Sequence, residues 1–73
     1  MEQTLGQKRV KAEFNPDKNE TVDQIKNKAA ELIDLFEQNR TEGCTAEKHR
    51  LISKAQTDIE TAAMYGVKSC FTE

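Results

Sequence analysis

The stretch Arg50–Phe71, RLISKAQTDIETAAMYGVKSCF, constrains this chain most. Apolar and small residues return at three-to-four spacing through Ile52, Ala55, Ile59, Ala62 or Ala63, Gly66 or Val67, and Cys70, which is the period of one helix face. Ala55, Ala62, Ala63 and Gly66 keep that face low enough for another backbone to approach. Gly66 costs roughly 1 kcal/mol against Ala in a helix interior, so its presence predicts a packing reason. With Thr45 as N-cap and Glu47 in the first turn, the helix is expected over about 45–70.

A helix of this kind needs a partner, and the preceding residues supply one. Val22, Ile25, Ala29, Leu32 and Phe36 follow at a strict three-four alternation, with Ile33 and Leu35 widening the stripe. Thr21-Val-Asp-Gln24 fits a capping box, so the first hairpin helix is expected over about 21–40. Thr41-Glu-Gly-Cys44 makes the turn, with Gly43 able to take a left-handed conformation. A connection of four to five residues predicts two adjacent antiparallel helices.

The N-terminal residues 1–18 read as an arm and turn ahead of a 19–73 hairpin. Met1–Gln7 is polar and expected to fray. In Lys8–Phe14 the apolar Val10, Ala12 and Phe14 alternate with charges, the period of an extended segment, and Asn15-Pro16 blocks a helix from the left. The fold expected is all-α: an antiparallel two-helix hairpin with an extended N-terminal arm.

At 73 residues a single core is marginal, which predicts self-association. The second helix, near 39 Å at about 1.5 Å per residue, overhangs the first at about 30 Å. Met64, Tyr65, Val67 and Phe71 lie on the overhang and need cover from the arm or from another subunit. Thirteen acidic against eleven basic residues give a net charge of −2, against a general nucleic-acid-binding role. Lys8, Arg9 and Lys11 form the one dense basic cluster, as a solvated face or as an arm that touches an anion. No run approaches the roughly 18 apolar residues of a membrane span, so the chain is expected to be soluble and cytoplasmic. Cys44 and Cys70 are too few for a disulfide framework and read as reduced thiols.

No constellation for catalysis is legible, and no cofactor or metal is expected. Asp58 and Glu60 point to different sides of a helix, while Glu31, Asp34 and His49 read as solvated surface. Lys26, Arg50, Lys54 and Lys68 are isolated cations at helix-turn spacing, and Lys54 can pair with Asp58. Brought beside an aromatic by subunit contacts, Lys26 or Arg50 would give a charge for a phosphate and a ring for a base.

Arg50, followed by Ala55-Gln-Thr57-Asp-Ile59-Glu-Thr-Ala62-Ala63-Met64-Tyr65 and Val67-Lys68, resembles the second hairpin helix of the phage anti-CBASS and anti-Thoeris sponges. Asn15-Pro16, Val22-Asp-Gln-Ile25-Lys26 and Ala29-Ala-Glu-Leu32 are similar to that family's entry turn and first helix, so the resemblance covers roughly residues 14–70. It implies a homo-oligomer, typically a hexamer, that binds cyclic nucleotide immune messengers in the host cytoplasm without degrading them. It further implies sites between subunits: Phe14 stacking on a base, Lys26 meeting phosphate, and Arg50, Lys54 and Thr57 lining the ligand. Phe14 lacks the hydroxyl of a Tyr, and Tyr65 stands where relatives often carry Trp, so cyclic dinucleotides, cyclic trinucleotides and cyclic ADP-ribose isomers all stay open as ligands. Thr57 also has a structural reading, as a helix-crossing residue bonded to its own backbone. A helical-hairpin protein–protein interaction module of phage origin is the alternative function, and a nucleic-acid-binding factor using the basic arm is a weaker one.

Overall fold

A computed structural model describes residues 2–73 and contains three helices: α1 (Leu5–Val10), α2 (Glu20–Gln38) and α3 (Ala46–Ser69). No strand occurs among the described residues. The all-α expectation therefore stands, but the extended arm does not. Residues 5–10 form a helix, and Met1, the first residue of the arm expected to fray, lies outside the described residues.

The reason is local chemistry that the two-residue alternation concealed. Thr4 Oγ1 accepts from the Gln7 backbone N–H at 3.1 Å, and Gln7 Oε1 accepts from the Thr4 N–H at 2.8 Å. This reciprocal capping box starts α1. Lys11 ends it in the left-handed region at φ 54°, with the Ala12 N–H bonded back to the Gln7 carbonyl at 2.9 Å. Six residues are too few for a stable isolated helix, so α1 depends on docking. Gly6 provides the dock: a Cβ there would lie 2.1 Å from the Ala30 carbonyl oxygen. The missing side chain lets the two backbones touch, and the Gly6 N–H donates to Asp34 Oδ1 at 2.7 Å.

A second correction concerns the start of α2. Its cap is Asn19, whose Oδ1 accepts from the Val22 N–H at 3.1 Å, and Thr21 is already inside the helix. Asn15 clamps the entry by donating to the Asn19 carbonyl at 2.8 Å and to Asp23 Oδ1 at 2.9 Å. At α3 the cap is Thr45, as its sequence position predicts.

Contacts between α2 and α3 run in opposite directions along the two helices. Arg40 meets His49 at 3.0 Å, Gln56 reaches the Ile33 carbonyl at 3.2 Å, and Gly66 faces Ile25. The connecting residues 39–45 include Gly43 at φ 80°, a conformation that glycine adopts freely. Near this end a buried Gln56 amide donates to Glu37 Oε1 at 3.0 Å and accepts from Arg40 Nη2 at 3.0 Å. Ser53 and His49 accept from the same guanidinium.

The core is small. Val10, Ala30, Ile33 and Ala63 form it, with Ala12, Ile25, Ala29 and Ile59 packed around them. On α2 the buried line is Val22, Lys26, Ala30 and Ile33, rotated from the stripe centred on Ile25, Ala29 and Leu32, because α1 covers part of the helix. The molecule is a slab of 44 × 30 × 12 Å, and its thin dimension leaves helix faces uncovered. Leu35, Leu51, Met64, Tyr65 and Phe71 are consequently exposed.

Candidate ligand-binding site

Two cavities meet at Lys26. The larger, about 400 Å³, lies between α1 and α3, with Arg9, Val10 and Lys11 on one wall and Glu60, Thr61, Ala63, Met64 and Val67 on the other. The smaller, about 200 Å³, is framed by Phe14–Asp17 of the connector, by Val22, and by Val67 and Phe71 of α3. Lys26 and Val67 line both. The larger cavity has a volume typical of a small-molecule site.

Lys26 is only 6% exposed. Its ammonium donates to the Lys11 carbonyl at 2.9 Å and to the Phe14 carbonyl, and it stands 5.4 Å from the Phe14 ring centroid. Burial pushes its pKa down, Asp23 raises it, and the neighbouring Lys11 lowers it further. The charge is tolerated because two carbonyl dipoles and an aromatic face replace water around it. Of its three N–H donors, one remains for another acceptor. The same contacts hold the turn after α1, so Lys26 both lines the cavity and fixes its rim.

Among the five residues singled out from the sequence, the structure brings Phe14 and Lys26 together, with Phe14 two-thirds exposed at the edge of the smaller cavity. Thr57 is exposed on α3, and its Oγ1 accepts from Arg9 Nη2 at 3.4 Å. Arg50 pairs with Glu47 at 2.7 Å, and Lys54 with Asp58 at 2.9 Å, both on the open face of α3. Neither lines a cavity: Glu60, where the larger cavity begins on α3, is ten positions beyond Arg50, about 15 Å along the helix. Within one chain, then, Phe14 and Lys26 come together, Thr57 is tied to the larger cavity through Arg9, and Arg50 and Lys54 stand apart.

Sequence reasoning named most of the other cavity residues, Met64, Val67 and Phe71 as an overhang in need of cover and Lys11 as part of the basic cluster, but assigned none of them to a site. Arg9 was legible only as one cation in a basic cluster, yet its Nη2 lies 3.0 Å from Glu60 Oε2 across the cavity mouth. No spacing rule predicts that pair, because 51 positions separate its members. Among the described residues, no group of three or more His, Cys, Asp or Glu side chains is placed to hold a metal ion. Nor, among the described residues, is any helix long and apolar enough to cross a membrane.

The hairpin, its docked α1 and the buried lysine at their junction extend over the same residues as a known domain, since the family description Acb2/Tad1, hairpin domain, matches residues 6–71. The chain belongs to the Acb2/Tad1 hairpin-domain family. These are the phage anti-CBASS and anti-Thoeris sponges. The Acb2/Tad1 match begins at Gly6, the residue that docks α1, and so takes in a helix that the resemblance over residues 14–70 left out. No curated protein and no solved structure matches the chain.

Proposed function

We propose that this protein binds a cyclic oligonucleotide or cyclic ADP-ribose-type messenger of bacterial defence and withholds it without cleaving it. The observation that carries the reading is Lys26, a buried ammonium with a spare donor beside an exposed aromatic ring, in a chain that belongs to the sponge family. In this reading Lys26 contacts a ligand phosphate and Phe14 stacks on a base. Sequestration works by mass action, so it needs affinity and abundant sites but no turnover.

The proposal includes a homo-oligomer, with a hexamer as the expected size. Two features support it: the thin slab exposes Met64, Tyr65 and Phe71, and Arg50 and Lys54 lie on exposed α3 surface that lines neither cavity. A second copy that covered the apolar residues would bring that surface into a site made by two chains. Where these apolar residues instead dock on a different protein, the chain is an interaction module and ignores nucleotides.

Calorimetry against a panel of cyclic dinucleotides, cyclic trinucleotides and cyclic ADP-ribose isomers separates the readings. The expected result is a dissociation constant below about 10 μM, a binding free energy stronger than about 7 kcal/mol, for at least one ligand. Recovery of intact ligand after denaturation distinguishes a sponge from an enzyme, and native mass with and without ligand counts the subunits. Absence of binding to every member of the panel overturns the proposal.

A further inference from the structure

The larger cavity holds more charge than one phosphate contact requires. Arg9, Lys11 and Lys26 line it against a single carboxylate, Glu60, a formal balance of three positive groups to one negative. Arg9 and Glu60 face each other at 3.0 Å, with the side chains 24% and 38% exposed, so the pair sits at the mouth and is open to exchange. The side-chain hydrogen bonds of Arg9 to Glu60 and to Thr57 both run through Nη2. A guanidinium carries five N–H donors in a planar fork, so an oxyanion that lands on the unused Nε or Nη1 can go on to take Nη2 from Glu60.

We propose that Arg9 is a second anion-contacting residue of this cavity, and that Glu60 is the resident counter-ion that a bound phosphate displaces. Exchange of one oxyanion for another keeps the guanidinium paired, and the released Glu60 carboxylate turns to water at the mouth. Lys26 at the junction of the two cavities and Arg9 at the mouth then hold two separate negative groups. The ligand class that fits is an anion with two phosphate or phosphodiester groups. Its identification with a cyclic messenger rests on the sequestering reading above, whereas the anion site itself does not.

The test uses two substitutions that break the same ion pair. Glu60→Gln removes the competing charge and keeps the shape, whereas Arg9→Ala removes the contact. Calorimetric titration with inorganic pyrophosphate, and with the cyclic nucleotide that binds best in the panel, is compared across wild type and both variants, with thermal melts as the control for α1 docking. Glu60→Gln is expected to tighten binding roughly fivefold, the scale of a partly exposed ion pair. Arg9→Ala is expected to weaken it at least about tenfold.

A purely structural role for the pair would shift both variants the same way, and that result, or no change in either, overturns the inference. Binding of a cyclic nucleotide without the opposed shifts leaves the sequestering function intact and removes Arg9 from the site. Opposed shifts with pyrophosphate and no cyclic nucleotide binding support the anion site and refute the messenger. Failure of wild type to bind either probe overturns both.

Discussion

Gly6→Ala tests whether α1 is part of the domain or a loose arm. A Cβ at this position would lie 2.1 Å from the Ala30 oxygen, 2.7 Å from its carbonyl carbon and 2.8 Å from its Cα. All three are backbone atoms of α2, so no side chain can swing aside. Restoring ordinary contact requires about 1 Å of separation between the two helices. The Gly6 N–H, now 2.7 Å from Asp34 Oδ1, would then move beyond hydrogen-bond range. A bond to a charged acceptor contributes about 1.5–3 kcal/mol, and loosening the buried Val10 adds about 1 kcal/mol. The better helix propensity of Ala returns about 1 kcal/mol. The net expectation is a loss of about 2 kcal/mol, limited above by the docking free energy of α1, because the segment can detach instead of straining. For a domain of this size that is roughly a 10 °C fall in melting temperature, measured at fixed protein concentration. Hydrogen exchange should show unprotected amides in residues 5–12. Gly66→Ala is the contrast, since its Cβ would meet Ile25 Cγ2 at an ordinary 3.4 Å. That variant should match or exceed wild type by up to about 1 kcal/mol. A Gly6→Ala protein that melts at or above wild type with α1 amides protected would refute the packing argument.

Gln56→Ala removes a side chain 2% exposed, together with its bonds to the Ile33 carbonyl, Glu37 and Arg40, and should cost about 2–3 kcal/mol in urea unfolding. Glu37 is held below the usual carboxylate range, first by the Gln56 hydrogen bond and then by Arg40. A depressed folded-state value stabilises the protein above the unfolded value of about 4.3, and that contribution disappears as pH falls through the folded value. The stability gap between wild type and Glu37→Gln should therefore narrow from pH 5 to pH 3, and a constant gap would refute the assignment. Lys26→Met removes a buried charge but leaves the Lys11 and Phe14 carbonyls without their donor, so stability at neutral pH should fall by about 1–2 kcal/mol, the relieved desolvation offsetting part of the lost bonds. Ligand binding should be lost and exchange at residues 11–14 should quicken; retained binding would remove Lys26 from the site.

What was legible in the sequence follows from range. The two long helices and the Thr45 cap repeat a local pattern over many residues, and local patterns survive without knowledge of the partner. The segment from Lys8 to Phe14 is too short to vote clearly: Val10 and Ala12 do face the core, so their two-residue spacing was real, but the last residue of a helix and the left-handed turn after it placed them there, not a strand. The same Thr-x-x-Gln signature occurs at Thr4–Gln7 and at Thr21–Gln24, and only the first is a cap. Asn19 and Asn15 win at α2 because together they satisfy the entry turn as well as the helix N–H groups. Gly66 looked like the tight crossing, but within the chain that role belongs to Gly6, whose contact with Ala30 has no sequence period. The candidate site divides in the same way. Lys26 and Phe14 are twelve residues apart and joined by a turn, whereas Arg9 and Glu60 meet only through the tertiary fold.

The small core gives these site residues a double duty. Val22 and Ile33 are the largest fully buried side chains, which is little apolar material for a domain of 73 residues. Polar links therefore do part of the holding: Asp34 on the first turn of α1, Arg9 on Glu60 and Thr57, and Lys26 on the turn at residues 11–14. Two of those three links line the larger cavity. A ligand that takes Arg9 from Glu60 must replace what the ion pair gave to α1 docking, and it can do so only by touching both cavity walls. A ligand that bridges the walls should therefore protect α1 amides from exchange, while a fragment bound to one wall should expose them. Equal protection by pyrophosphate and by a full cyclic nucleotide would show that the ion pair contributes nothing to docking.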